Sequence, residues 1–437
     1  MKSAIKTFTA FGVLVTSLHA TNGDNLVGLG AKALGMGGTG IAHYNGSESA
    51  VSNPALITKG KGTLITFGGT YFTPSVEIQK TNASTGGTPL SASYESDAKN
   101  NVIPFVALTN SFDNGAAIGV SMYGSAGMGT DWRNNGKNPA GGADMGLYSM
   151  RSNLMLMKFS VPMAYGQDNW SVGIAPVMMY GALDIAFQNT YGATAPVAIQ
   201  GTNYDVGRGS SSSFGAGFEA GAAYTVPEAG VTVAALYHSK IEMEYMNQIS
   251  TAAAAFGYGA SGAAMAGKSD RLDQPAEIGL GVDYTQGDLS ITGDVKSIRW
   301  GDARGYQDFG WVNQRVYALG AEYRMDKLAL RAGWNYGKNP IQNNVDARYV
   351  ATNSIVGAGN TNGDTMNAFN HVLFPAVTER HYTVGAGYQF TKNVGTDVSF
   401  MYATSPDVSV SAASVALGTL TVKNDQMAVA ANLNLAF

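Results

Sequence analysis

The last twelve residues, Gln426-Met-Ala-Val-Ala-Ala-Asn-Leu-Asn-Leu-Ala-Phe437, alternate large apolar side chains with small or polar ones. With the two-residue period of a β-strand, the apolar face is formed by Met427, Val429, Ala431, Leu433, Leu435 and Phe437. The opposite face carries Gln426, Asn432 and Asn434 between alanines. A strand of about ten residues with one face for lipid and one for water is the repeating unit of a transmembrane β-barrel. The stretch therefore predicts an all-β membrane protein of the outer-membrane type.

The amino terminus has the features of a secretory signal peptide. Lys2 and Lys6 precede an apolar run from Phe8 to Val15, and small residues follow at Leu18-His19-Ala20. This run is too short to span a bilayer as a helix, and its order of charge, apolar core and cleavage site is typical of an export signal. We predict a signal peptide over residues 1–20 and export to the outer membrane of a Gram-negative-type bacterium. The alternative is a buried first helix.

The composition agrees with a barrel and excludes several other classes. Only 13% of the residues are charged, about half of what a cytosolic enzyme normally carries, while Gly occurs 56 times and Tyr 22 times. The absence of cysteine excludes disulfides, thiolate catalysis and cysteine-ligated metal. The net charge of −4 argues against a nucleic-acid partner. After Val15 no apolar run approaches the length of a membrane-spanning helix.

Short turns between alternating runs predict the number of strands. Six of them can be read from the sequence, and most carry the Asn, Asp or Gly that tight hairpins need. They are centred on Asn114, Asp168, Ala229, Gly287, Asp326 and Lys392. Six hairpins supply twelve strands, and one strand before the first (about 62–80) and one after the last (about 419–437) bring the total to about fourteen. We predict a fourteen-stranded antiparallel barrel over residues 61–437, with long outer loops at 81–97, 127–148, 190–208, 248–269 and 338–377.

The strands of a soluble β-sandwich or propeller also alternate, but they do not require outward-facing aromatic residues at their ends. In the run from Leu328 to Gly337, Trp334 and Tyr336 share the apolar face, while Arg331 lies on the other. Aromatic side chains near strand ends are typical of the membrane interface. This pattern favours the membrane barrel over the soluble alternatives.

Residues 21–60 do not read as a strand. Six glycines are interleaved with Leu and Met between Gly28 and Gly40, and the stretch from Ser47 to Ala55 predicts a short helix that stops before Pro54. A fourteen-stranded barrel leaves an aqueous hole unless something fills it. The small, weakly charged residues of this segment favour a position in the lumen, and we predict a hatch domain over residues 21–60.

Several motifs resemble a known family. The segment from Leu26 to Phe67, with Gly35-Met-Gly-Gly-Thr-Gly40, Ser47-Glu-Ser-Ala50 and above all Asn53-Pro54-Ala55-Leu56, resembles the start of mature proteins of the FadL/TodX family. These are outer-membrane transporters for long-chain fatty acids and other hydrophobic compounds. The later stretches Leu330–Tyr336, Phe374–Ala376 and His381–Tyr388 are similar to barrel strands of that family, whereas the long loops show no clear match.

The resemblance implies a barrel closed by an amino-terminal hatch. A ligand would bind in a hydrophobic groove between the outer loops, pass to an internal apolar pocket and leave sideways at a kinked third strand. Asn53, Pro54 and Ala55 match the hatch motif. The third strand is expected at about 116–126, with the kink at Tyr123 and Gly124, and Gly124 and Gly127 would supply the backbone freedom that a kink needs. The alternative for Gly124 is ordinary packing against the plug.

The loop from Gly127 to Met150 contains candidate ligand-binding residues. Its apolar side chains include Met128, Trp132, Met145 and Leu147, and methionine adapts well to mixed apolar ligands. The alternative is that these side chains only pack the loops over the plug. An inward-facing Arg331 could meet a carboxylate head group, or it could pair with acids of the hatch or the wall.

No residue pattern indicates catalysis, a metal or a cofactor. The spelling Gly35-x-Gly-x-x-Gly40 lacks the strand and helix that dinucleotide binding requires, and the five histidines are dispersed. We therefore predict a monomeric, passive transporter without enzymatic activity. Its partners would be a hydrophobic small molecule or fatty acid, and the lipid and lipopolysaccharide of the outer membrane. The alternatives are a diffusion porin for small polar solutes, and a barrel acting as a surface adhesin or phage receptor.

Overall fold

The structure, a computed structural model, describes residues 22–85, 88–134, 146–190, 198, 203–255, 270–341, 361–413 and 417–437. Within these residues, eighteen strands form one antiparallel sheet, and the first strand pairs with the last. The strands are β1 Gly62–Thr85, β2 Thr88–Glu95, β3 Asn101–Ser111, β4 Ala116–Asp131, β5 Arg151–Ser160, β6 Met163–Gln167, β7 Trp170–Thr190, β8 Asn203–Val206, β9 Ser211–Val226, β10 Val231–His238, β11 Glu277–Gln286, β12 Leu289–Ile298, β13 Gln314–Met325, β14 Leu328–Gly337, β15 Arg380–Thr391, β16 Val394–Thr404, β17 Val408–Ala412 and β18 Gly418–Ala436. The helices are α1 Ala31–Gly35, α2 Ser49–Ser52, α3 Ile249–Ala255 and α4 Thr361–Ala368, which a π-helical turn continues over Phe369–Leu373.

Fifteen of these strands, two of which join into one, build a closed barrel of fourteen strands, which confirms the predicted number. β2, β8 and β17 are hairpin extensions that pair only with the outer ends of β1, β7 and β18. β5 and β6 together form one barrel strand, because both pair with β4 and with β7. The break between them falls at Val161 and Pro162, where proline cannot donate to the ladder.

The carboxy-terminal strand closes the barrel with the predicted alternation. β18 pairs with β1 from Leu64 opposite Ala436 to Thr81 opposite Thr419. Met427 and Val429 are 47% and 44% exposed, whereas Ala428 and Ala430 between them are buried. The large apolar side chains therefore lie on the outside of the barrel, where lipid would cover them.

All six predicted turns join neighbouring barrel strands. Asp168 and Asp326 adopt left-handed backbone angles, with φ of 52° and 49°, which Asp tolerates better than most residues. We call this side of the barrel the turn end and the opposite side the loop end. Among the described residues no helix has the length and apolarity needed to cross a membrane.

Several strands extend further toward the loop end than the sequence predicted. β1 continues to Thr85 and pairs with β2, so the described part of the predicted loop 81–97 is largely strand. β4 continues to Asp131, so Met128 lies in a strand and not in a loop as expected. Both stretches are rich in Gly, Ser and Thr, a composition typical of loops, but pairing with a neighbouring strand keeps the backbone extended.

Residues 22–60, the N-terminal segment, lie within the barrel. Helix α1 contacts the inner faces of β14, β15, β16 and β18, while the 3-10 turn Pro54–Lys59 contacts β3, β4, β6, β7 and β9 on another side. Contacts with so many strands around the ring require a position in the lumen. Glycines on the wall permit the close approach: a Cβ on Gly173 would lie only 2.6 Å from the Ala55 nitrogen.

Candidate functional site

The Asn53-Pro54-Ala55 motif folds the N-terminal segment and attaches it to the wall. Asn53 is fully buried. Its side-chain oxygen accepts a hydrogen bond from the Ala55 nitrogen (3.0 Å), and its amide donates to the carbonyls of Ile41 (2.7 Å) and Ala235 (3.3 Å). Pro54 begins the 3-10 turn, where its missing N–H leaves no donor unsatisfied. The Asn53 side chain thus forms hydrogen bonds with its own turn, with an earlier loop of the segment and with strand β10.

Buried carboxylates of the wall hold the middle of the segment. Asp294 on β12 accepts hydrogen bonds from the backbone nitrogens of Gly40 (2.9 Å) and Ile41 (3.1 Å). The ring of His43 lies 2.6 Å from the Asp283 carboxylate on β11. Hydrogen bonds to charged groups contribute about 1.5–3 kcal/mol each, so these contacts fix the segment firmly.

A carboxylate of the segment itself points back to the wall. Glu48 accepts from the nitrogens of Lys32 (3.1 Å) and Ala33 (3.4 Å) at the start of α1, and from the side-chain amide of Asn432 (2.8 Å) on β18. Because Glu48 is completely buried, its pKa is raised to about 7. The segment is therefore bound by polar contacts on several sides of the lumen.

The third barrel strand, β4, parts from β3 halfway along its length while it stays paired with β5. From Ala116 to Tyr123 its residues alternate, and Ile118 and Val120 are 43% and 51% exposed. From Gly124 to Thr130 every residue is buried, so neither face of this part meets the outside of the barrel. The register against β5 shifts between Gly124 and Ala126, which leaves Ser125 as a bulge.

The same departure opens the seam between β3 and β4. Their ladder stops at Phe105 opposite Tyr123, and the wall rejoins only at Asp131, which bonds to Ser96 and Asp97. We call the unpaired region between residues 101–104 and 124–130 the window. Tyr123 and Gly124 lie at its edge nearest the turn end, and Gly127 lies along its side. A lateral exit at these residues stays a prediction.

The N-terminal segment occupies the edge of β4 that β3 leaves free. Asn25 forms an isolated antiparallel bridge with Ala126. The Leu26 nitrogen donates to the Ser125 carbonyl (3.3 Å), and the Gly127 nitrogen donates to the Asp24 carbonyl (3.0 Å). The start of the segment thus acts as a short substitute strand behind the window.

A cluster of aromatic and aliphatic side chains encloses an apolar cavity next to this junction. The cavity is lined by Met128, Leu183, Ile185, Ile249, Leu272, Tyr306, Phe309, Trp311, Asn370 and Phe374. Its volume of about 10 Å³ is close to that of one water-sized sphere, so a ligand requires side chains to move aside. The side-chain nitrogen of Asn370 donates a hydrogen bond to the Phe309 carbonyl (2.8 Å), and its side-chain oxygen accepts one from the Trp311 indole N–H (3.2 Å). Among these lining residues there is no charged side chain.

Most of the predicted loop residues join this cluster. Trp132 and Leu147 are buried in it together with Met128, and the Trp132 indole donates to the Val372 carbonyl (2.8 Å). Val372 belongs to the π-helical turn that follows α4. Met145 lies outside the described residues. Ligand contact by Met128, Trp132, Met145 and Leu147 remains a prediction.

Arg331 lies apart from the cluster, near the turn end. Its guanidinium bonds to Glu322 (2.6 Å) and to Asp397 (2.6 Å). These residues border a polar cavity of about 420 Å³ that also includes Asp326 and Lys327 of a tight turn. The structure therefore does not bring Arg331 to the apolar cavity, and its predicted contact with a ligand carboxylate remains untested.

The sequence reasoning missed the aromatic residues of the β12–β13 connection. Tyr306 lies 4.7 Å from Trp300 and 4.8 Å from Trp311, measured between ring centroids. Phe309 stacks on Phe369 at 4.8 Å. Four large aromatic residues within twelve residues of a glycine-rich connection were the available signal. Their spacing follows neither the helix period nor the strand period, so it does not predict that the rings lie close together.

The chain is similar to known proteins in sequence and in structure. The family model described as "Outer membrane protein transport protein (OMPP1/FadL/TodX)" matches residues 12–350. A curated uncharacterised protein from Chlorobium limicola is 50% identical over 42 residues, which span 10% of this chain and 21% of that relative.

Solved structures show the same fold at low identity. A Pseudomonas aeruginosa FadL homologue has a TM-score of 0.68 and 15% identity, covering 95% of this chain and 100% of that one. The Pseudomonas putida toluene transporter TodX has a TM-score of 0.66 and 16% identity, covering 94% and 99%. The Ralstonia pickettii toluene transporter TbuX has a TM-score of 0.59 and 16% identity, with the same coverage.

Proposed function

Because the chain belongs to the OMPP1/FadL/TodX family of outer membrane transport proteins, we propose that it moves small, neutral hydrophobic compounds passively into the outer membrane. The compound enters the apolar cavity from the loop end. It then passes the N-terminal segment, which serves as the hatch, and leaves sideways through the window between β3 and β4. No reaction chemistry is involved.

One observation carries this proposal: a gap in the wall lies beside an apolar cavity. Met128 lines the cavity, while Gly127, the preceding residue of β4, lies at the window. A compound in the cavity is therefore separated from the window mainly by the start of the N-terminal segment. A diffusion porin would instead need an open lumen, and the contacts of residues 22–60 with strands on several sides support the transporter over the porin.

The physical chemistry of an apolar ligand favours such a route. Each CH₂ group removed from water contributes about 0.8 kcal/mol, so capture requires no energy source. A sideways exit returns the compound to lipid without another passage through water. Side chains such as Met128 and Leu183 are flexible enough to make room for it.

The lining of the cavity supports a neutral ligand over a carboxylate. A buried carboxylate without a cationic partner is strongly disfavoured, and the described lining offers no Lys, Arg or His. Aromatic side chains dominate one wall, and they suit a compact ring compound. In cells that carry this protein we expect uptake of toluene to exceed that of dodecanoate, which labelled-substrate assays would measure. Faster uptake of dodecanoate would reverse this preference.

A charge placed in the cavity should abolish transport. Met128→Lys would bury an ammonium group among apolar side chains, which costs several kcal/mol. Since each 1.4 kcal/mol is a factor of ten, we expect toluene uptake to fall by about tenfold or more. The matched control is Met246→Lys, because Met246 is 64% exposed in a loop. Equal uptake by both variants, with both folded, would show that the cavity is not on the route.

Side chains at the window should slow transport without unfolding the barrel. Gly124→Val combined with Gly127→Val removes backbone freedom and adds two side chains where β4 parts from β3. We expect several-fold slower uptake of toluene, measured together with the heat-dependent gel shift of a folded barrel. Gly293→Val is the control, because a Cβ there meets only the flexible end of Leu319 and the Ala318 carbonyl, at 3.2 and 3.7 Å. Unchanged uptake in the double variant would remove the window from the route.

A further inference from the structure

Three exposed basic residues lie side by side on the outer surface of the barrel, at the loop end of β13, β14 and β15. Tyr317, Tyr336 and Arg380 form one row across these strands, and the Arg380 guanidinium lies 5.9 Å from the centroid of the Tyr336 ring. Arg315 and Lys338 each lie two residues beyond this row. Neighbouring strands are about 5 Å apart, so the three long side chains can reach one molecule.

The row of tyrosines marks the end of the apolar band on the outer surface. Along β13 the outward-facing residues Tyr317, Leu319 and Tyr323 are all exposed. Aromatic residues on either side of an aliphatic stretch are typical of the two membrane interfaces. The tight turns of an outer-membrane barrel face the periplasm, so the loop end faces outward. Arg315 therefore lies at the level of the lipid head groups of the outer leaflet.

These three cations differ from other surface cations at the loop end, which have an acidic neighbour. Such pairs are Lys99 with Glu95 (2.6 Å), Arg133 with Asp131 (2.5 Å) and Lys423 with Asp425 (2.9 Å). Within the part of the chain that the structure describes, Arg315, Lys338 and Arg380 form no ion pair. Glu379, next to Arg380, is buried and accepts a hydrogen bond from the Asn339 nitrogen (3.1 Å). The surface thus carries positive charge that no carboxylate neutralises.

A groove of about 630 Å³ lies between two of these cations. Arg315 and Tyr317 line it from β13, and Tyr336 and Lys338 line it from the β14 side. Asn339 also lines it, and its side-chain oxygen is hydrogen-bonded to the backbone, whereas its NH₂ group has no partner among the described residues. The groove therefore offers cationic groups, an amide donor and aromatic rings to one ligand.

A ligand of this surface needs both phosphate groups and hydrocarbon. Arginine binds phosphate with two parallel hydrogen bonds, and lysine binds it as a point charge. On the turn-end side of the tyrosine row the surface is apolar, because the exposed Leu319 is opposite Trp334, which is half-buried. The amide donor and the aromatic rings suit a sugar between the phosphates and the acyl chains.

We propose that Arg315, Lys338 and Arg380 form a binding site for the phosphorylated glycolipid of the outer leaflet, lipopolysaccharide. Its phosphate groups lie on the three cations, and its acyl chains run along the apolar outer face of β13 and β14. The site gives a position to the lipopolysaccharide contact that the sequence analysis predicts. It goes beyond the proposed function, because it lies on the outside of the barrel and takes no part in the route of the transported compound.

Binding of bisphosphorylated lipid A to the purified full-length chain tests the site. Protein freed of lipid by detergent exchange is titrated with lipid A, and the bound copies are counted by native mass spectrometry. The triple variant Arg315→Gln, Lys338→Gln and Arg380→Gln should bind about a hundredfold more weakly, because each cation beside an anionic lipid contributes about a factor of five. Added salt should weaken binding by the parent and leave the residual binding of the variant unchanged.

The matched control is the triple variant Lys99→Gln, Arg133→Gln and Lys423→Gln. It removes the same number of charges from the loop end, but each of these cations has an acidic neighbour. This control should bind lipid A like the parent. A heat-dependent gel shift verifies that both variants fold. If the first triple variant does not fold, Arg315→Gln with Lys338→Gln carries the test, with binding about twenty-five-fold weaker.

Further variants and ligands separate charge from shape. Arg315→Lys with Arg380→Lys keeps the charges and should bind within about tenfold of the parent. Lipid A without its phosphates should bind the parent about a hundredfold more weakly than lipid A with them. Dioleoylphosphatidylglycerol, which has a phosphate but no glucosamine, should bind at least about tenfold more weakly, and millimolar inorganic phosphate should not displace lipid A.

Each of three results would overturn the inference. Equal affinity of the parent and the first triple variant for lipid A would show that the three cations form no site. An equal loss in the control would reduce the effect to net charge. Binding of phosphatidylglycerol as tight as that of lipid A, or displacement by inorganic phosphate, would assign the surface to another anion. None of these measurements involves toluene, so a failure of toluene uptake would overturn the proposed function alone.

Discussion

A chain without residues 22–60 is expected to conduct ions as an open pore, whereas the intact chain should be nearly ion-tight. The N-terminal segment contacts the inner faces of strands all around the barrel, and its removal would leave a lumen lined by polar side chains such as Asp283 and Asp294. Water fills a polar, fourteen-stranded lumen readily. Planar bilayer recordings of the two purified proteins would show steady open-pore steps for the shortened chain only.

The deletion leaves the barrel's own closure intact, because β1 pairs with β18 along eighteen consecutive residue pairs. A heat-dependent gel shift verifies folding. A milder variant, Asn53→Ala with Asp294→Ala, loosens the segment by removing hydrogen bonds worth about 1–3 kcal/mol each. Recordings of this double variant should show brief openings between closed periods. A shortened chain that folds and stays ion-tight would disprove the role of the segment as the hatch.

A disulfide between residues 25 and 126 is expected to stop transport reversibly. Asn25 and Ala126 form an antiparallel bridge, and the Cα atoms of such pairs lie about 4.5–5.5 Å apart, a distance that a disulfide can span. Asn25→Cys with Ala126→Cys would therefore tie the start of the segment to β4. Because the natural chain has no cysteine, no other disulfide can form within one molecule.

Toluene uptake by the oxidised double variant should fall by more than about tenfold, since flux follows the population of the open state. A reductant should restore it in the same sample. The single variants Asn25→Cys and Ala126→Cys control for the loss of either side chain, including the Asn25 hydrogen bond to Glu277 (2.7 Å). Full transport with the disulfide formed would mean that the compound leaves elsewhere.

The barrel could be predicted because its signals are local. Alternation in residues 426–437 depends only on neighbouring side chains, and turns such as those at Asp168 and Asp326 depend on backbone angles that few residues accept. The position of the third strand followed from counting these turns. The full length of this strand could not be predicted, because Gly127 and Gly129 are residues typical of a loop. Pairing with β5 nevertheless keeps them extended.

The interior of the barrel could be predicted only in part. The fold of the Asn-Pro-Ala motif is local, because Asn53 caps its own turn, whereas the prediction of a hatch over residues 21–60 rests on the family resemblance. The anchors on the wall join residues far apart in the chain, as in Asp294 with Gly40, and no local pattern reveals such a partner. The same holds for Tyr306 and Asp24, whose contact depends on the loop packing over the segment.

The most direct test of the account measures hydrocarbon and ion movement in one preparation. The intact protein, reconstituted in outer-membrane lipid, would be assayed for the rate at which labelled toluene passes from the loop side into the bilayer, and for ion conductance in the same membranes. We predict a protein-dependent, saturable transfer of toluene with no accompanying current. A current that rises together with toluene transfer would contradict a hatch-closed barrel with a lateral exit.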